Sequence, residues 1–248
     1  MQDRPFPEPK PVTDLWRPQL TRLPRMTPSR RAFRVFSHGL LKFIAKICLK
    51  VSAEGMENFP AHGPLLVVIN HLGDSDVPAL ISAFPYTPDA LGKIELYDVP
   101  ILGILMDWYG VIWLHRGRPD KRALRAALDG LAEGRVIVIA PEGRYSLTGA
   151  LEEGNGGAAF IAYKSGAPIL PIAITGTEND YVYGHLKKFQ RTQVRVKVGK
   201  MFTLVEQVSG PKDAARQGTR LIMQALAGLL PDKYHGAYSS KESPQTIL

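Results

Sequence analysis

The chain of 248 residues has a single cysteine, Cys48, which excludes an internal disulfide framework and suits a reducing compartment. It also lacks a run of roughly 20 apolar residues, the length that a membrane-spanning helix needs. Its first residues, MQDRPFPEPKPVTD, have acids and prolines where a signal peptide has a basic start and an apolar core. We therefore expect an intracellular protein that is not inserted across a bilayer.

Acidic residues are outnumbered by basic ones. The chain has 31 Lys and Arg against 23 Asp and Glu, a formal net charge of +8. Such a balance suits an anionic partner: a nucleic acid, an acidic membrane surface or a phosphorylated substrate. No base-stacking aromatic motif or recognised nucleic-acid module is present, so a non-catalytic basic protein that binds nucleic acid is the remotest interpretation.

The N-terminal part divides into two segments. Residues 1–28 hold seven prolines and are predicted to form an extended arm. Residues 29–51 have helical spacing, with cations at every fourth position, and predict a basic amphipathic helix: Arg34, His38, Lys42, Lys46 and Lys50. Aromatic and aliphatic side chains fill the remainder. A folded domain would then span 29–231, including this helix, and 232–248 would form a polar tail.

Four unbroken apolar runs are typical of strands that are covered on both faces: LLVVI (65–69), VIWL (111–114), VIVIA (136–140) and ILPIAIT (169–175). Segments with helical spacing separate them, for example DKRALRAALDGLAEG. QVRVKV (193–198) instead alternates, so one of its faces meets water. The pattern predicts an α/β fold with a mostly parallel, covered sheet and flanking helices, preceded by the N-terminal amphipathic helix.

Polar residues follow the first apolar run directly. Asn70 and His71 come after LLVVI, and Asp76 begins the next helical pattern. If 72–75 form a turn, the Asp76 carboxylate can accept a hydrogen bond from one imidazole nitrogen and leave the other free to take a proton. Such a pair is a general base with its orienting residue. The plainer alternative is that Asp76 only caps a helix.

Three further apolar runs carry distinctive residues at or near their ends: GVIWLHRG (110–117), APEGRYS (140–146) and ILPIAITG (169–176). Together with the N-H-x-x-x-x-D block, and in this order, they resemble the glycerolipid acyltransferase family, whose type member is 1-acyl-sn-glycerol-3-phosphate acyltransferase. The resemblance covers roughly residues 52–205, which is most of the folded chain.

The resemblance implies roles for individual residues. His71 matches the family's catalytic histidine, and Asp76 matches the aspartate that orients it. Arg116 matches the arginine that holds the acceptor's phosphate, a task that suits a guanidinium group. The acceptor-binding block is matched by Glu142 and Gly143, and the proline of the last block by Pro171.

The sequence departs from the family pattern at several of these positions. Gly73 stands where many members have serine. Arg144 follows Gly143 directly, so Tyr145 takes the usual place of an arginine; Arg144 is still a candidate for the phosphate site. His115, which precedes Arg116, is open to a structural or a binding role.

The resemblance implies acyl transfer from acyl-CoA or an acyl carrier protein to a lysolipid hydroxyl. The acceptor it points to is 1-acyl-sn-glycerol-3-phosphate, and the product is phosphatidic acid. Another lysophospholipid, or a hydroxylated or amino lipid, is the alternative acceptor. No G-x-S-x-G elbow and no metal-liganding histidine spacing occur, so we expect neither an acyl-enzyme nor a metal nor a cofactor beyond the thioester.

A lysolipid substrate implies contact with a membrane. The basic helix, with Arg30, Arg31 and Arg34 beside its lysines, predicts peripheral association with the anionic, cytoplasmic face. VPILGILM (99–106) is a candidate lining of an acyl groove, with ordinary core as its alternative.

Overall fold

The computed structural model describes residues 12–117 and 119–239. Its strands in chain order are β1 (Leu49–Glu54), β2 (Leu65–Ile69), β3 (Asp89–Lys93), β4 (Ile112–Leu114), β5 (Val136–Ile139), β6 (Ile169–Thr175) and β7 (Thr192–Val198). They form one sheet of the order β1-β7-β6-β2-β5-β3-β4. The β6–β7 pair is antiparallel, and each of the other neighbouring pairs is parallel.

Helices flank and precede this sheet. They are α1 (Pro28–Cys48), α2 (Asp76–Ala83), α3 (Leu102–Tyr109), α4 (Lys121–Ala132), α5 (Gly156–Ser165), α6 (Asn179–Leu186), α7 (Pro211–Asp213) and α8 (Thr219–Ala227). A π-helical turn, Ala214–Gly218, joins the last two. None of the helices in the described chain has the length and apolar character needed to cross a bilayer.

The central strand β2 shows why its sequence is apolar at every position. Leu66 and Val68 pack into a cluster with α4, α5 and α8 residues on one face of the sheet. Leu65, Val67 and Ile69 pack into a second cluster on the other face, with residues of α2. Both faces are therefore covered, and the predicted α/β fold with a mostly parallel sheet is confirmed.

Two predicted boundaries are wrong. The N-terminal helix was expected over 29–51, but α1 ends at Cys48 and residues 49–51 open β1, which pairs with β7. The polar tail was expected from 232, yet Tyr234 is buried and its carbonyl accepts a hydrogen bond from the Leu151 amide at 2.8 Å. The first part of the tail thus packs on the domain. Residues 1–11 of the predicted arm and 240–248 of the tail lie outside the described residues.

The orientation of α1 corrects the interpretation of its cationic stripe. Arg34 was expected to reach outward, but it is 5% exposed and forms an ion pair with the buried Asp89 at the start of β3. A second contact fixes Arg34, which donates a hydrogen bond of 3.0 Å to the Thr87 carbonyl. Because Arg34 faces the domain, the apolar side of α1 faces outward.

Candidate active site

Five strands bring the predicted site residues to one edge. Strands β2, β3, β4, β5 and β6 are parallel to one another, so their carboxyl ends lie along the same side of the sheet. The residues that follow these ends, in chain order, are His71, Glu95, Arg116, Glu142 and Thr177. Pro171 lies within β6, opposite Val68, and is buried in the sheet.

Asn70 fixes the end of β2 against β6. Its side-chain amide donates to the Ile174 carbonyl at 2.8 Å and accepts from the Ile174 amide at 2.8 Å. An asparagine at this position therefore supplies both a donor and an acceptor to a neighbouring backbone. The chain can then turn away from the sheet at His71 from a rigid starting point.

The turn brings His71 and Asp76 together. His71 Nδ1 lies 2.6 Å from Asp76 Oδ2, and the same oxygen accepts from the amides of Leu72 and Gly73 at 2.7 and 3.0 Å. Asp76 Oδ1 accepts a hydrogen bond from the Thr177 hydroxyl beyond the end of β6. The carboxylate is completely buried, whereas the His71 side chain is 23% exposed.

These contacts assign the proton on the imidazole. Asp76 Oδ2 already accepts from two backbone N–H groups, so it is an acceptor toward His71 as well, and Nδ1 carries the hydrogen. The other ring nitrogen, Nε2, has no hydrogen-bond partner in the described chain. A neutral imidazole with an open Nε2 can accept a proton from a substrate hydroxyl.

Tyr145, which stands in the usual place of an arginine, lies directly beside the base. Its ring meets the His71 ring edge-on, with 4.2 Å between the centroids. Its hydroxyl donates to Asp74 Oδ1 at 2.6 Å, and the Tyr183 hydroxyl donates to Asp74 Oδ2 at 2.8 Å. Burial raises the pKa of Asp74, but the two tyrosine hydroxyls together with the nearby His71 and Lys93 outweigh burial and hold this pKa below its ordinary value.

Arg116 lies beyond the end of β4 and pairs with a carboxylate from the end of β3. Its Nη2 is 3.3 Å from Glu95 Oε1. Burial raises the pKa of Glu95, but a backbone hydrogen bond and the Arg116 guanidinium act against burial and hold this pKa below its usual range. The positive charge of Arg116, the residue predicted to bind the phosphate, is thus partly neutralised by a neighbouring carboxylate.

Residues of the predicted acceptor-binding block form hydrogen bonds and an ion pair with other residues of the protein. Glu142 is completely buried, and its carboxylate accepts from the His71 amide at 3.2 Å and from the Glu152 amide at 2.8 Å. Arg144 is 9% exposed and donates from Nε to Glu152 Oε2 at 2.7 Å. Gly143 adopts a positive φ of 74°, which favours glycine, and is exposed. In this geometry Glu142 and Arg144 support the loop beneath the base, and their direct binding of an acceptor stays a prediction.

A second H-x-x-x-x-D pair follows β4, and sequence reasoning missed it. His115 Nδ1 lies 2.6 Å from Asp120 Oδ2, and His115 is buried. Here, however, Nε2 accepts a hydrogen bond from the Arg17 amide at 3.0 Å, and the Trp16 ring lies against the imidazole at 4.7 Å between centroids. The repeated five-residue spacing was visible in the sequence, but the segment that occupies Nε2 was not.

Residues 12–24 therefore lie across the part of the sheet edge where Arg116 follows β4. The Thr13 amide donates to the Arg116 carbonyl at 3.3 Å, and Arg17 forms an ion pair of 2.5 Å with Asp98. Leu15 and Leu20 pack against the small cluster around Trp113. This segment is part of the wall of the site rather than a separate arm.

The fold and the site together define a class of protein. It is an α/β protein in which a histidine base with an open Nε2, held by a buried aspartate, follows the carboxyl end of a parallel strand. No protein nucleophile is assigned to this site. Comparison with known proteins then gives the family. A family model described as Acyltransferase matches residues 50–175, half of the chain, and the chain belongs to this family. The resemblance inferred from the four motif blocks is confirmed.

Individual relatives agree with this assignment. The chain is 31% identical over 154 residues to the chloroplastic 1-acyl-sn-glycerol-3-phosphate acyltransferase of Arabidopsis thaliana, covering 58% of this chain and 42% of the relative. It is 30% identical over 135 residues to lyso-ornithine lipid O-acyltransferase of Pseudomonas aeruginosa, covering 54% and 52%. The chain spans about half the length of the curated relatives it matches.

A solved structure has the same fold. The crystal structure of the 1-acyl-sn-glycerophosphate acyltransferase from Thermotoga maritima superposes with a TM-score of 0.59, at 23% sequence identity, and covers 82% of this chain and 84% of that one. At this identity the likeness shows the fold alone.

Proposed function

We propose that this chain transfers an acyl group from an acyl thioester to the free hydroxyl of a lysolipid, with His71 as general base. The observation that carries the proposal is the open Nε2 of an imidazole whose Nδ1–H is held by the buried Asp76. Membership of the Acyltransferase family supports it.

The reaction follows from these parts. His71 Nε2 takes the proton of the acceptor hydroxyl while the hydroxyl oxygen attacks the thioester carbonyl carbon. Asp76 stabilises the imidazolium that forms. The tetrahedral intermediate collapses, the carbon–sulfur bond breaks, and His71 returns the proton to the leaving thiolate. This sequence needs no acyl-enzyme, metal or cofactor beyond acyl-CoA or acyl carrier protein as the donor.

Two acceptors are candidates. The names of relatives and the position of Arg116 support 1-acyl-sn-glycerol-3-phosphate, with the phosphate against the guanidinium and phosphatidic acid as product. An amino lipid is favoured by a different observation: Tyr145 lies beside the base where the family pattern has an arginine, and its hydroxyl donates to Asp74. A relative that acts on lyso-ornithine lipid supports this second candidate.

The test is an acyl-transfer assay on the purified full chain, with acyl-CoA, a panel of lysolipids and mass-spectrometric detection. Wild type should acylate at least one lysolipid, and His71→Ala should abolish transfer while the chain still folds, as a cooperative thermal unfolding transition would show. His62→Ala is the matched control, because His62 is exposed and outside the site. Activity of His71→Ala within a few-fold of wild type would disprove the mechanism.

We also propose peripheral binding to the anionic, cytoplasmic face of a membrane. Large apolar side chains of two helices are exposed and form what we term the apolar face: Val35, Phe36, Leu40, Phe43, Ile44 and Ile47 of α1, and Leu102, Ile104, Leu105 and Trp108 of α3 with Ile101 before it. The Phe33 and Trp108 rings meet edge-on at 5.7 Å, so the two helices present one continuous surface. The segment 99–106 is therefore not ordinary core, and its role as a lining of an acyl groove stays a prediction.

A lipid surface fits this face because the acceptor is itself a lipid and because exposed cations flank the apolar side chains. Arg31, Lys46 and Lys50 are exposed, and the chain carries a net charge of +8. Each cation near an anionic surface contributes about 1 kcal/mol, and each buried aromatic side chain contributes about 2 kcal/mol. Apolar burial thus dominates, and the cations select anionic lipid.

Vesicle co-sedimentation tests this surface. Phe36→Ser with Phe43→Ser should lower binding to anionic vesicles severalfold, whereas Val205→Ser, an exposed apolar residue on another segment, should not. Lys46→Glu with Lys50→Glu should weaken binding mainly at low salt. Equal binding of wild type to neutral and anionic vesicles at all salt concentrations would refute the electrostatic part.

A further inference from the structure

Phe189 adopts an unusual backbone conformation at the end of α6. Its amide donates to the Leu186 carbonyl at 3.0 Å, and the Gln190 amide donates to the His185 carbonyl at 3.0 Å; these are the two hydrogen bonds of a Schellman motif. The residue just beyond the helix then takes a left-handed conformation, which glycine usually supplies. Here Phe189 takes it, with a φ of 55°, so the chain places an aromatic residue there at a cost in stability.

The ring of Phe189 does not contribute to the packing of the protein. Phe189 is 101% exposed, and Lys187, Lys188 and Gln190 beside it are exposed as well. We term residues 186–190 the α6 tip. An exposed aromatic ring between lysines suits an anionic lipid surface, because the ring can enter the apolar boundary while the cations stay at the head groups.

The strand order places the α6 tip at the edge of the sheet that holds the base. Strand β7 is antiparallel to β6, so it begins at the edge where β6 ends. Strand β1 is parallel to β7, with Leu49 opposite Thr192, so α1 ends at this edge as well. Arg191 joins the two segments, since its Nε and Nη2 donate to the Leu49 carbonyl at 3.0 and 2.6 Å. The α6 tip therefore adjoins the end of α1, where Ile47 and Lys50 are exposed.

The other end of α6 contacts the turn that carries the base. Asn179 Oδ1 accepts from the Asp74 amide at 2.9 Å, and the Tyr183 hydroxyl donates to Asp74 Oδ2 at 2.8 Å. Helix α6 has eight residues, which corresponds to a length of about 12 Å. A bilayer that meets the α6 tip is therefore about one short helix away from the turn that holds His71.

We propose that the α6 tip is a second membrane contact, in which Phe189 enters the apolar boundary of an anionic bilayer while Lys187 and Lys188 meet the head groups. The inference rests on the proposed peripheral binding, and it adds to the apolar face of α1 and α3 a contact at the edge of the base. It also gives a reason for the strained conformation of Phe189, since the ring is placed for lipid rather than for the fold.

Phe189→Gly tests this contact, because it should change stability and binding in opposite directions. Glycine suits the left-handed conformation, so the thermal unfolding midpoint should rise by about 2–4 °C. Loss of the ring should weaken co-sedimentation of the full chain with mixed phosphatidylcholine and phosphatidylglycerol vesicles about tenfold. Met201→Ala, which shortens an exposed apolar side chain beyond the other end of β7, is the matched control and should bind as wild type does.

A second pair of variants tests the charge. Lys187→Gln with Lys188→Gln should weaken binding to the same vesicles severalfold at low salt and leave binding to pure phosphatidylcholine unchanged. Arg216→Gln with Arg220→Gln is the matched control. It removes two exposed cations from a segment that packs on the opposite face of the sheet from α6.

The outcomes separate the α6 tip from the rest of the proposed membrane binding. Equal binding of Phe189→Gly and wild type, while Phe36→Ser with Phe43→Ser binds weakly, would overturn the inference alone. A wild type that binds no vesicle would overturn the peripheral binding and the inference together. A dimer of wild type that becomes a monomer in Phe189→Gly, with vesicle binding unchanged, would make the tip an interface between two copies and overturn lipid as its partner. Because the readout is binding, it does not depend on the acyl-transfer assay.

Discussion

Asp76→Asn tests how the aspartate supports the base. In wild type Oδ2 faces three donors, the His71 Nδ1–H and the amides of Leu72 and Gly73, whereas Oδ1 faces only the Thr177 hydroxyl. An amide placed with its NH2 group toward His71 would meet three donors that cannot turn away. With its oxygen toward His71, the NH2 group meets one hydroxyl, which can rotate and accept.

We therefore expect the asparagine to keep its oxygen toward His71 and to preserve the Nδ1–H tautomer. What the substitution removes is the negative charge that stabilises the imidazolium. At a separation of about 4 Å and an effective dielectric constant of about 20, that charge is worth up to about 4 kcal/mol. A loss of about 2–4 kcal/mol in the transition state lowers kcat by about 30- to 900-fold.

The assay is acyl transfer at saturating donor, with thermal unfolding to confirm that the variant folds. Thr177→Val in the Asp76→Asn background supplies the control, because it removes the hydroxyl that would accept from the amide. The double variant should lose a further 1–3 kcal/mol or so of stability. A loss of activity as complete as that of His71→Ala would show that the tautomer is not preserved; a loss below about fivefold would show that the charge of Asp76 is not used.

Three substitutions test the surroundings of the site through stability. Glu142→Gln should cost about 1–3 kcal/mol, because either orientation of the amide sets its NH2 group against the amide of His71 or of Glu152. Gly73→Ser, which restores the commoner family residue, should destabilise the turn, because a Cβ there would lie 2.5 Å from the Thr177 carbonyl oxygen. Arg34→Met should cost up to about 3 kcal/mol, because the buried Asp89 loses its closer cation and keeps only Arg135, whose Nη1 lies 3.5 Å from Asp89 Oδ2. Urea unfolding measures all three.

Each of these variants has a matched control. Glu57→Gln changes an exposed glutamate, and Arg31→Met changes an exposed arginine of α1. Gly184→Ser places a side chain in open space on α6. If a control lowered stability as much as its partner, the contact named for that partner would not be the cause.

The strands that sequence reasoning located best are those whose burial is complete. The bounds of β2 and β6 are those of their apolar runs, because each position of LLVVI is buried in one of two clusters. The strands β1 and β3 were missed. Four of the six residues of LKVSAE (β1) are exposed. DALGK (β3) contains the buried Asp89, whose partner Arg34 is 55 residues away in the sequence. Periodicity carries no information on such a pairing.

The same limit applies to the site. The His71–Asp76 pair could be predicted, since a turn of four residues brings the two together. Thr177, which binds the second oxygen of Asp76, lies 101 residues further along the chain and has no local signature. The outward face of α1 could not be predicted either, because helical spacing defines two faces and only long-range contacts, such as that of Arg34 with Asp89, determine which one is covered.

The two H-x-x-x-x-D pairs show how much of the chemistry the local motif contains. In both, a histidine after a strand has its Nδ1 at 2.6 Å from an aspartate oxygen. That oxygen also accepts from at least one backbone amide in each pair. Local sequence thus determines the tautomer in each case. The difference lies at Nε2, which the Arg17 amide occupies in His115 and which is open in His71. Since a base must reach its substrate, only the first pair can serve as one, and the second pair instead anchors the N-terminal segment beside Arg116.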